Sequence, residues 1–358
     1  KHIKMIIGID FRFGYKSLRG MGTYVREIVK CLAKLDSCNK YILYIDNAEP
    51  CEEFKFPVNF TFCKLKGGYF SFEQWYLPRQ AKKNGVDILW SPYNTFPLYI
   101  ASTVKRCVTI HDLIFMGKLF PKSLHQLLGK YYRRYNLLLG LKRVDLLFTV
   151  SNYSAKAIQQ RFGLSSLITY NHIDIKPIEP TIQRVREILG QWGIEPGSYF
   201  YTITGNAPSK NFPLIKEVLE ILKEYRFVIT GIKLEDWDDA PDNVSITGFV
   251  TEEEKAILLQ NAKAFLFLSL EEGFGIPVLE AMVYDRKILA SNCSAIPEVV
   301  GEGGYCINPS KDIIIDAIHH FDQPKWGTRE GRMKQLQRFS SWTNSAKVFL
   351  SAINDLCI

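Results

Sequence analysis

The segment Leu268-Ser-Leu-Glu-Glu-Gly-Phe-Gly-Ile-Pro-Val-Leu-Glu-Ala-Met282 carries the residue types best suited to chemistry in this chain. An apolar strand runs into a loop holding Gly273 and Gly275, and Pro277 stands where a helix would begin. Proline suits a first helical turn because the N–H it lacks would have had no partner there. Glycines let the backbone approach a ligand closely, and the free N–H groups and dipole at a helix start favour phosphate. Glu272 precedes this anion site and Glu280 lies one turn into the helix, so two carboxylates flank it. They would repel phosphates. As acceptor-only groups they suit hydroxyls on either side of a diphosphate, one set from a sugar and one from a ribose. A surface turn with two solvated glutamates explains the same residues, and the Gly-Phe-Gly loop alone does not separate the two readings.

Two series of elements stand ready to position such a site. Apolar runs at Met5–Asp10, Tyr41–Asp46, Asp87–Ser91, Cys107–His111, Asp145–Ser151 and Leu167–Tyr170 predict strands. Several lack internal polarity, as parallel strands covered on both faces do. Amphipathic stretches between them predict helices at Thr23–Leu35, Phe72–Asn84, Ser123–Arg143 and Ser154–Phe162. The pattern then restarts. Strands are predicted at Tyr199–Gly205, Arg226–Gly231, Val244–Phe249, Ala264–Leu268, Lys287–Ser291 and Gly304–Ile307. Helices are predicted at Pro213–Glu224, Glu252–Ala262, Pro277–Tyr284 and Asp312–His320, with Thr328–Phe339 and Ser341–Leu356 closing the chain. Alternating β and α argues a doubly wound parallel sheet. The segment Asn171–Pro180, with Pro177 and Pro180 and no periodicity, reads as the linker. The expected class is therefore α/β, with two Rossmann-like domains over residues 1–173 and 174–340, and the last helix, about 341–358, packing back on the first.

Composition agrees with this outline. At roughly 150 residues per domain, 358 residues predict two domains. With 47% hydrophobic and 23% charged residues the chain is neither disordered nor a coiled coil. No run of ~18 uncharged apolar residues predicts a membrane span. The apolar part of Lys1–Asp10 is too short for a signal peptide and reads as a first strand. The eight cysteines contain no Cys-x-x-Cys pair and read as buried free thiols of a reducing cytosol. The net charge of +8 hides a split: residues 1–175 hold 26 Lys and Arg against 12 Asp and Glu, residues 176–358 hold 19 against 25. Two domains with different partners explain that division.

The context Glu272-Gly-Phe-Gly-Ile-Pro-Val-Leu-Glu280, two glutamates separated by seven residues, resembles the paired-glutamate element of retaining glycosyltransferases of family 4, which have the GT-B fold. Other motifs follow in order. Ser294–Gly304 with Asn308-Pro309, Thr247-Gly-Phe-Val250, Arg19-Gly-Met-Gly-Thr-Tyr-Val-Arg-Glu27, Val150–Ser154 and Phe339–Trp342 resemble the family's corresponding segments. Thr109-Ile-His-Asp-Leu113 resembles a motif of its mannosyltransferase-like branch. The resemblance spans nearly the whole chain. It implies two Rossmann-like domains facing each other across a cleft, the first binding the acceptor and the second the nucleotide sugar. Glu280 would bind the donor ribose, Glu272 the sugar hydroxyls, and the N–H groups of Phe274 and Gly275 the diphosphate. Lys210 would neutralise leaving-group charge, with Asn206, Ser209, Gly273 and Ile276 around it and Phe249 and Val250 near the base. Gly20 and Gly22 would approach the phosphates, and His111 the anomeric carbon. Charge develops on the diphosphate as the glycosyl bond breaks, and fixed cations and N–H donors stabilise it. The implied activity is a retaining, metal-independent hexosyl transfer, mannose favoured (GDP-mannose as donor), to a saccharide or lipid-linked saccharide in surface polysaccharide or glycolipid biosynthesis. No cofactor and no metal site are expected, the donor being a co-substrate.

Two departures stand out. Ser209 occupies the place of an arginine, so Arg12, Lys16 or Arg19 would have to reach in if Lys210 is to have help. Asp285-Arg-Lys287 replaces a Gly-x-Pro turn. The aromatic stretches Tyr69–Tyr76 and Trp90–Phe96 read as packing or as an acceptor lining, and His111 by itself as a histidine at a strand end. From Leu113 to Val144 there is no acidic residue, while Lys118, Lys122, Lys130, Arg133, Arg134, Lys142 and Arg143 alternate with tyrosines and leucines. Such a helix suits an anionic bilayer surface, which would make the chain a cytoplasmic protein held peripherally on the inner face of the membrane. A solvated basic face is the alternative. A nicotinamide fingerprint fails because Val25 stands at its third glycine. A nucleic-acid-binding Rossmann-type protein and an inactive glycosyltransferase-like protein remain as alternative readings; with no recognition motif, no nucleic-acid partner is expected.

Overall fold

The computed structural model describes residues 5–16, 20–117, 123–173 and 176–356. They form two compact units. One runs to Asn171 and takes in Ser341 onward; the other is His172–Ser340.

The first unit holds a sheet of β1 (Ile6–Asp10), β2 (Lys40–Ile45), β3 (Phe60–Lys64), β4 (Ile88–Ser91), β5 (Lys105–Ile110), β6 (Leu146–Thr149) and β7 (Leu167–Ile168). Their order is β3-β2-β1-β4-β5-β6-β7, every pair parallel, with Ile7 opposite both Tyr41 and Ile88. Side chains along β1, β2, β4 and β5 are almost all buried, as strands covered on both faces must be. The edge strand β3 has no counterpart among the sequence-predicted strands. Only Phe60 of its five residues is buried, so it shows no core-type run. The helix expected over Phe72–Asn84 is broken into a short turn, a π-helical turn Phe72–Tyr76 and the helix Leu77–Lys83. Pro78 cannot donate a backbone bond, and Leu77 N–H instead reaches back to Phe72 O. The helix Trp342–Asp355 lies in this unit, with Trp342 against Tyr24 and Phe349 against Trp90.

The second unit holds β8 (Tyr199–Ile203), β9 (Arg226–Thr230), β10 (Val244–Gly248), β11 (Ala264–Phe267), β12 (Lys287–Ser291) and β13 (Tyr305–Ile307). The order β10-β9-β8-β11-β12-β13 is again all parallel. Phe200, Phe227, Leu266 and Leu289 of the sheet, with Val218, Leu219, Ile314 and Ile318 of its helices, form one core cluster. The sequence reading had no helix at Ile182–Gln191, whose buried face is only Ile188 and Leu189. Each sheet reverses its winding once, between β1 and β4 and between β8 and β11. Ligands of open α/β sheets bind beyond the strand ends at such a point, because the loops part there.

The seven described cysteines are free, but only Cys107 is fully buried and Cys38 is exposed, so the expectation of buried thiols holds for one of them. Among the described residues no helix is long and apolar enough to cross a membrane.

Candidate active site

At the second unit's switch point, the loops after β8 and β11 meet. The first is Thr204–Lys210 and the second Leu268–Gly275. They are joined through backbone: Leu270 N–H donates to Ser209 O at 2.7 Å. Asn211, in left-handed backbone at φ 58°, donates its side-chain amide to Leu268 O at 3.2 Å. That clamp holds Lys210 over the second loop, and its Nζ lies 2.6 Å from Glu272 Oε1. Ser294, also at positive φ, accepts the Glu272 backbone N–H at 2.9 Å. Lys210 keeps about a third of its side-chain surface exposed, so its ammonium stays open to an anion.

The glycine loop ends at Gly275, where φ is 113° and ψ is 50°. That conformation strains any residue with a Cβ. It turns the chain into the helix Ile276–Val283, with Pro277 in its first turn and Phe274 buried against Phe339. At that helix start Pro277 brings no N–H and Val278 N–H donates to Gly275 O at 3.0 Å; the positive end of the helix dipole lies beside the loop that carries Glu272. Glu280, on the helix, is mostly buried and accepts a hydrogen bond from Lys255 Nζ at 2.7 Å. Lys255 also pairs with Glu252 at 2.7 Å. Burial pushes the Glu280 carboxyl up, opposed by the Lys255 ammonium and reinforced by Glu252. Burial lowers Lys255, but its two glutamates outweigh that and leave it raised. The helix bearing Lys255, Glu252–Asn261, begins with a capping box: Glu254 N–H donates to Thr251 Oγ1, and Thr251 N–H to Glu254 Oε2.

The structure thus brings Lys210, Ser209, Glu272, Gly273, Phe274, Gly275, Ile276 and Glu280 together in the two loops and one helix. Asn206 is exposed on the first loop. Phe249 is exposed and Val250 half-buried just beyond β10. Ser209 is buried, its carbonyl spent on tying the loops. Asp285 adopts left-handed backbone at φ 54°, as a glycine would at a helix end. Its N–H donates to Met282 O, and Arg286 N–H donates to Ala281 O, closing the turn without Gly-x-Pro. Arg332 Nε holds the Asp285 carboxylate at 2.7 Å.

Two residues of this site escaped the sequence reading, Lys255 and Ser294. Lys255 lies 25 positions from Glu280, a distance no local motif spans. Ser294 stood inside a quoted motif, but nothing in the spacing marks it as the acceptor of Glu272 N–H.

In the first unit, Gly20 at φ 51° opens the helix Met21–Leu35, and Gly22 is buried in its first turn. His111 follows β5 and is 6% exposed. Its Nε2–H donates to Pro92 O at 2.9 Å, its backbone N–H to Asn94 Oδ1, and its ring meets Tyr24 edge-on. Burial lowers its pKa to about 4, so the ring is neutral at physiological pH. At the β1–β4 switch point, Arg12 is buried in a knot with Asp10 at 2.6 Å and Glu73 at 3.3 Å, while Tyr132 and Thr95 donate to Glu73.

That knot corrects one expectation. Arg12 is sealed inside its own unit and so is not spare to replace the arginine missing at Ser209; Lys16 is paired with Asp46 but keeps a third of its side-chain surface, and Arg19 lies outside the described residues. A second correction concerns the basic stretch. Lys130 is buried, its Nζ donating to Gly117 O at 2.9 Å, and Arg133 packs over the Phe115 ring, because both lie on the helix's inner side. Arg134 is half-buried and Lys142 and Arg143 are exposed. Lys118 and Lys122 lie outside the described residues. Of the two aromatic stretches, Trp90, Tyr93 and Phe96 are core, whereas Tyr69, Phe70, Trp75 and Tyr76 are exposed. Among the described residues no group of three His, Cys, Asp or Glu side chains is placed to hold a metal ion.

Known proteins are similar to this chain in sequence and fold. An O-antigen chain mannosyltransferase of Escherichia coli is 24% identical over 71% of this chain and 71% of its own length. The solved sucrose-phosphate synthase of Thermosynechococcus elongatus superposes with a TM-score of 0.71 at 14% identity, covering 99% of both chains. The Anabaena protein HepE, solved in complex with UDP and glucose, gives a TM-score of 0.67 at 14% identity over 98% of this chain and 100% of its own. The model for Glycosyltransferase Family 4 matches residues 18–176, and that for Glycosyl transferases group 1 matches residues 202–321. With both units matched in order and both sheets of the expected kind, the chain belongs to glycosyltransferase family 4 and has the GT-B fold.

Proposed function

We propose that this glycosyltransferase moves a hexose, mannose in the favoured reading, from a nucleotide-diphosphate sugar to a saccharide or lipid-linked saccharide of a surface polysaccharide. The carrying observation is the Lys210–Glu272 pair beside the Gly273–Gly275 loop at the second sheet's switch point. The second unit, His172–Ser340, is read as the donor domain and the first, running to Asn171 with the last helix, as the acceptor domain. The diphosphate sits against the N–H groups of Phe274 and Gly275, and Lys210 Nζ takes the charge that grows on it as the glycosyl bond breaks. Glu272 orients that ammonium and accepts sugar hydroxyls, and Glu280 accepts those of the ribose. Lys210 and the loop supply the positive field that a divalent ion supplies elsewhere, which supports metal-independent chemistry. The transfer is read as retaining, as the resemblance of the Glu272–Glu280 element implies. The E. coli relative's acceptor chain and its mannosyl transfer support mannose and a polysaccharide; HepE's bound UDP keeps a uridine donor as the second reading.

Thermal-shift titration with GDP, UDP, ADP and TDP and their sugars tests the donor. A ligand at a hundred times its Kd adds about 2.7 kcal/mol of stability, and GDP with GDP-mannose should give the largest rise. Glu280→Ala should weaken nucleotide binding, whereas Lys210→Ala should mainly lower turnover. Absence of any nucleotide response, or unchanged turnover in both variants, overturns the assignment.

A further inference from the structure

The helix Leu124–Gly140 turns an apolar face to solvent. Leu124, Leu128, Tyr131, Tyr135, Leu138 and Leu139 are all exposed, Leu124 by 71% and Leu128 and Leu139 by 61%. At about 100° per residue they fall within roughly 100° of arc, as wide as the core-facing stripe of an amphipathic helix. The helix is not free to roll that face inward. Lys130 Nζ is bound to Gly117 O, and the Asn136 side chain both accepts from Phe96 N–H at 3.2 Å and donates to Phe96 O at 2.8 Å.

Charge surrounds the stripe with one sign. No acidic residue occurs from Leu113 to Val144, and Arg134, Lys142 and Arg143 lie at the helix surface and just past its end. Beside Leu138 opens a shallow cavity of about 450 Å³, lined by Leu137, Leu138, Lys142, Arg161 and Phe162. An apolar floor under two cations suits a phosphate attached to hydrocarbon.

We propose that this face docks on the surface of an anionic lipid bilayer. The leucines and tyrosines enter the headgroup boundary, and Lys142 and Arg161 take a lipid phosphate over Leu138 and Phe162. Self-pairing of the same face would set Arg134, Lys142 and Arg143 of one copy against those of another, with no acidic residue in the stretch to offset them. A nucleic acid would use the cations and leave six exposed leucine and tyrosine side chains unburied. The bilayer satisfies both features at once.

Co-sedimentation with vesicles of phosphatidylglycerol and phosphatidylcholine, against phosphatidylcholine alone, tests the surface. Binding is expected on the anionic vesicles and should fall with salt. Leu128→Glu with Tyr135→Glu should weaken it at least about tenfold, since two apolar contacts become charges repelled by the surface. Both side chains are exposed, so melting temperature and nucleotide response should match the parent; Lys142→Glu provides a second variant that removes charge without touching the stripe. No binding to anionic vesicles, or equal binding by all variants, overturns the proposal. So does self-association abolished by the double variant in a chain that ignores vesicles, which would make the partner a second copy.

Discussion

Replacing Lys255 by methionine tests how Glu280 is kept ready for a ribose. Methionine keeps most of the apolar stem and removes the ammonium that lies 2.7 Å from Glu280 Oε1. The groups left around that carboxylate are Glu252, Tyr201 and Tyr284, and none of them brings positive charge. Removing one partner of a buried pair costs about 3–5 kcal/mol if the other stays charged. Glu280 keeps 19% of its side-chain surface, so the lower end applies, and losing the ammonium pushes an already raised carboxyl further up. A carboxyl carrying its proton loses the charge-assisted bond to a hydroxyl, worth about 1.5–3 kcal/mol against about 1 for a neutral one. Affinity for the best-binding nucleoside diphosphate should therefore fall about tenfold in the acidic range. Calorimetric titration at several pH values between 6 and 8 reads the effect. The parent should be nearly flat, while Lys255→Met should regain affinity as pH rises and Glu280 ionises. Lys255→Arg should behave like the parent. Stability should move the opposite way. A carboxyl raised in the folded state holds its proton more tightly there than in the unfolded chain, so its contribution is full at low pH and is lost as pH rises through the folded value. A pH-independent loss of affinity, or no loss, refutes this account of Lys255.

Gly275→Ala tests the loop. A Cβ there meets Phe267 at an ordinary 3.5 Å, so the cost is the backbone at φ 113°, about 1–3 kcal/mol. The expected result is a lower melting temperature together with weaker diphosphate binding; an unchanged diphosphate affinity would separate the loop from the donor site. His111 and His172 test the pH limits of the fold. Burial lowers both from 6.5 to about 4, so the unfolded chain takes up their protons first. Their stabilisation is complete above about pH 6.5 and lost as pH falls toward 4, about 2 kcal/mol per histidine at pH 5. Urea unfolding at pH 7 and pH 5 measures it, and His111→Asn should remove roughly half of the drop. A profile flat across that window would show that the rings are not held neutral.

The two α/β series were legible because buried parallel strands write themselves as apolar runs: the strands from Ile6 to Asp10 and from Ala264 to Phe267 are nearly pure examples. The short edge strand Phe60–Lys64 was not legible, since it buries one residue and leaves no apolar run, whereas the helix Ile182–Gln191 does carry helical spacing at Ile182, Val185, Ile188 and Leu189 but buries only the last two. The π turn at Phe72–Tyr76 depends on Pro78, which the helical pattern alone did not weigh.

By itself the sequence determined the family, the switch-point loop with its two glutamates, and the lysine beside them. These are local motifs whose residue types carry the chemistry at fixed spacing, and the split of charge between the halves travelled with them. Only the tertiary structure decided which charges are free to act. Arg12 and Lys130, alike in sequence to any exposed cation, are buried and spent on Asp10 and on Gly117 O, while Lys255, unremarked in its run of glutamates, stands against Glu280. Electrostatic partners are chosen by distances of a few ångströms between elements far apart in the chain, and linear spacing holds no record of them.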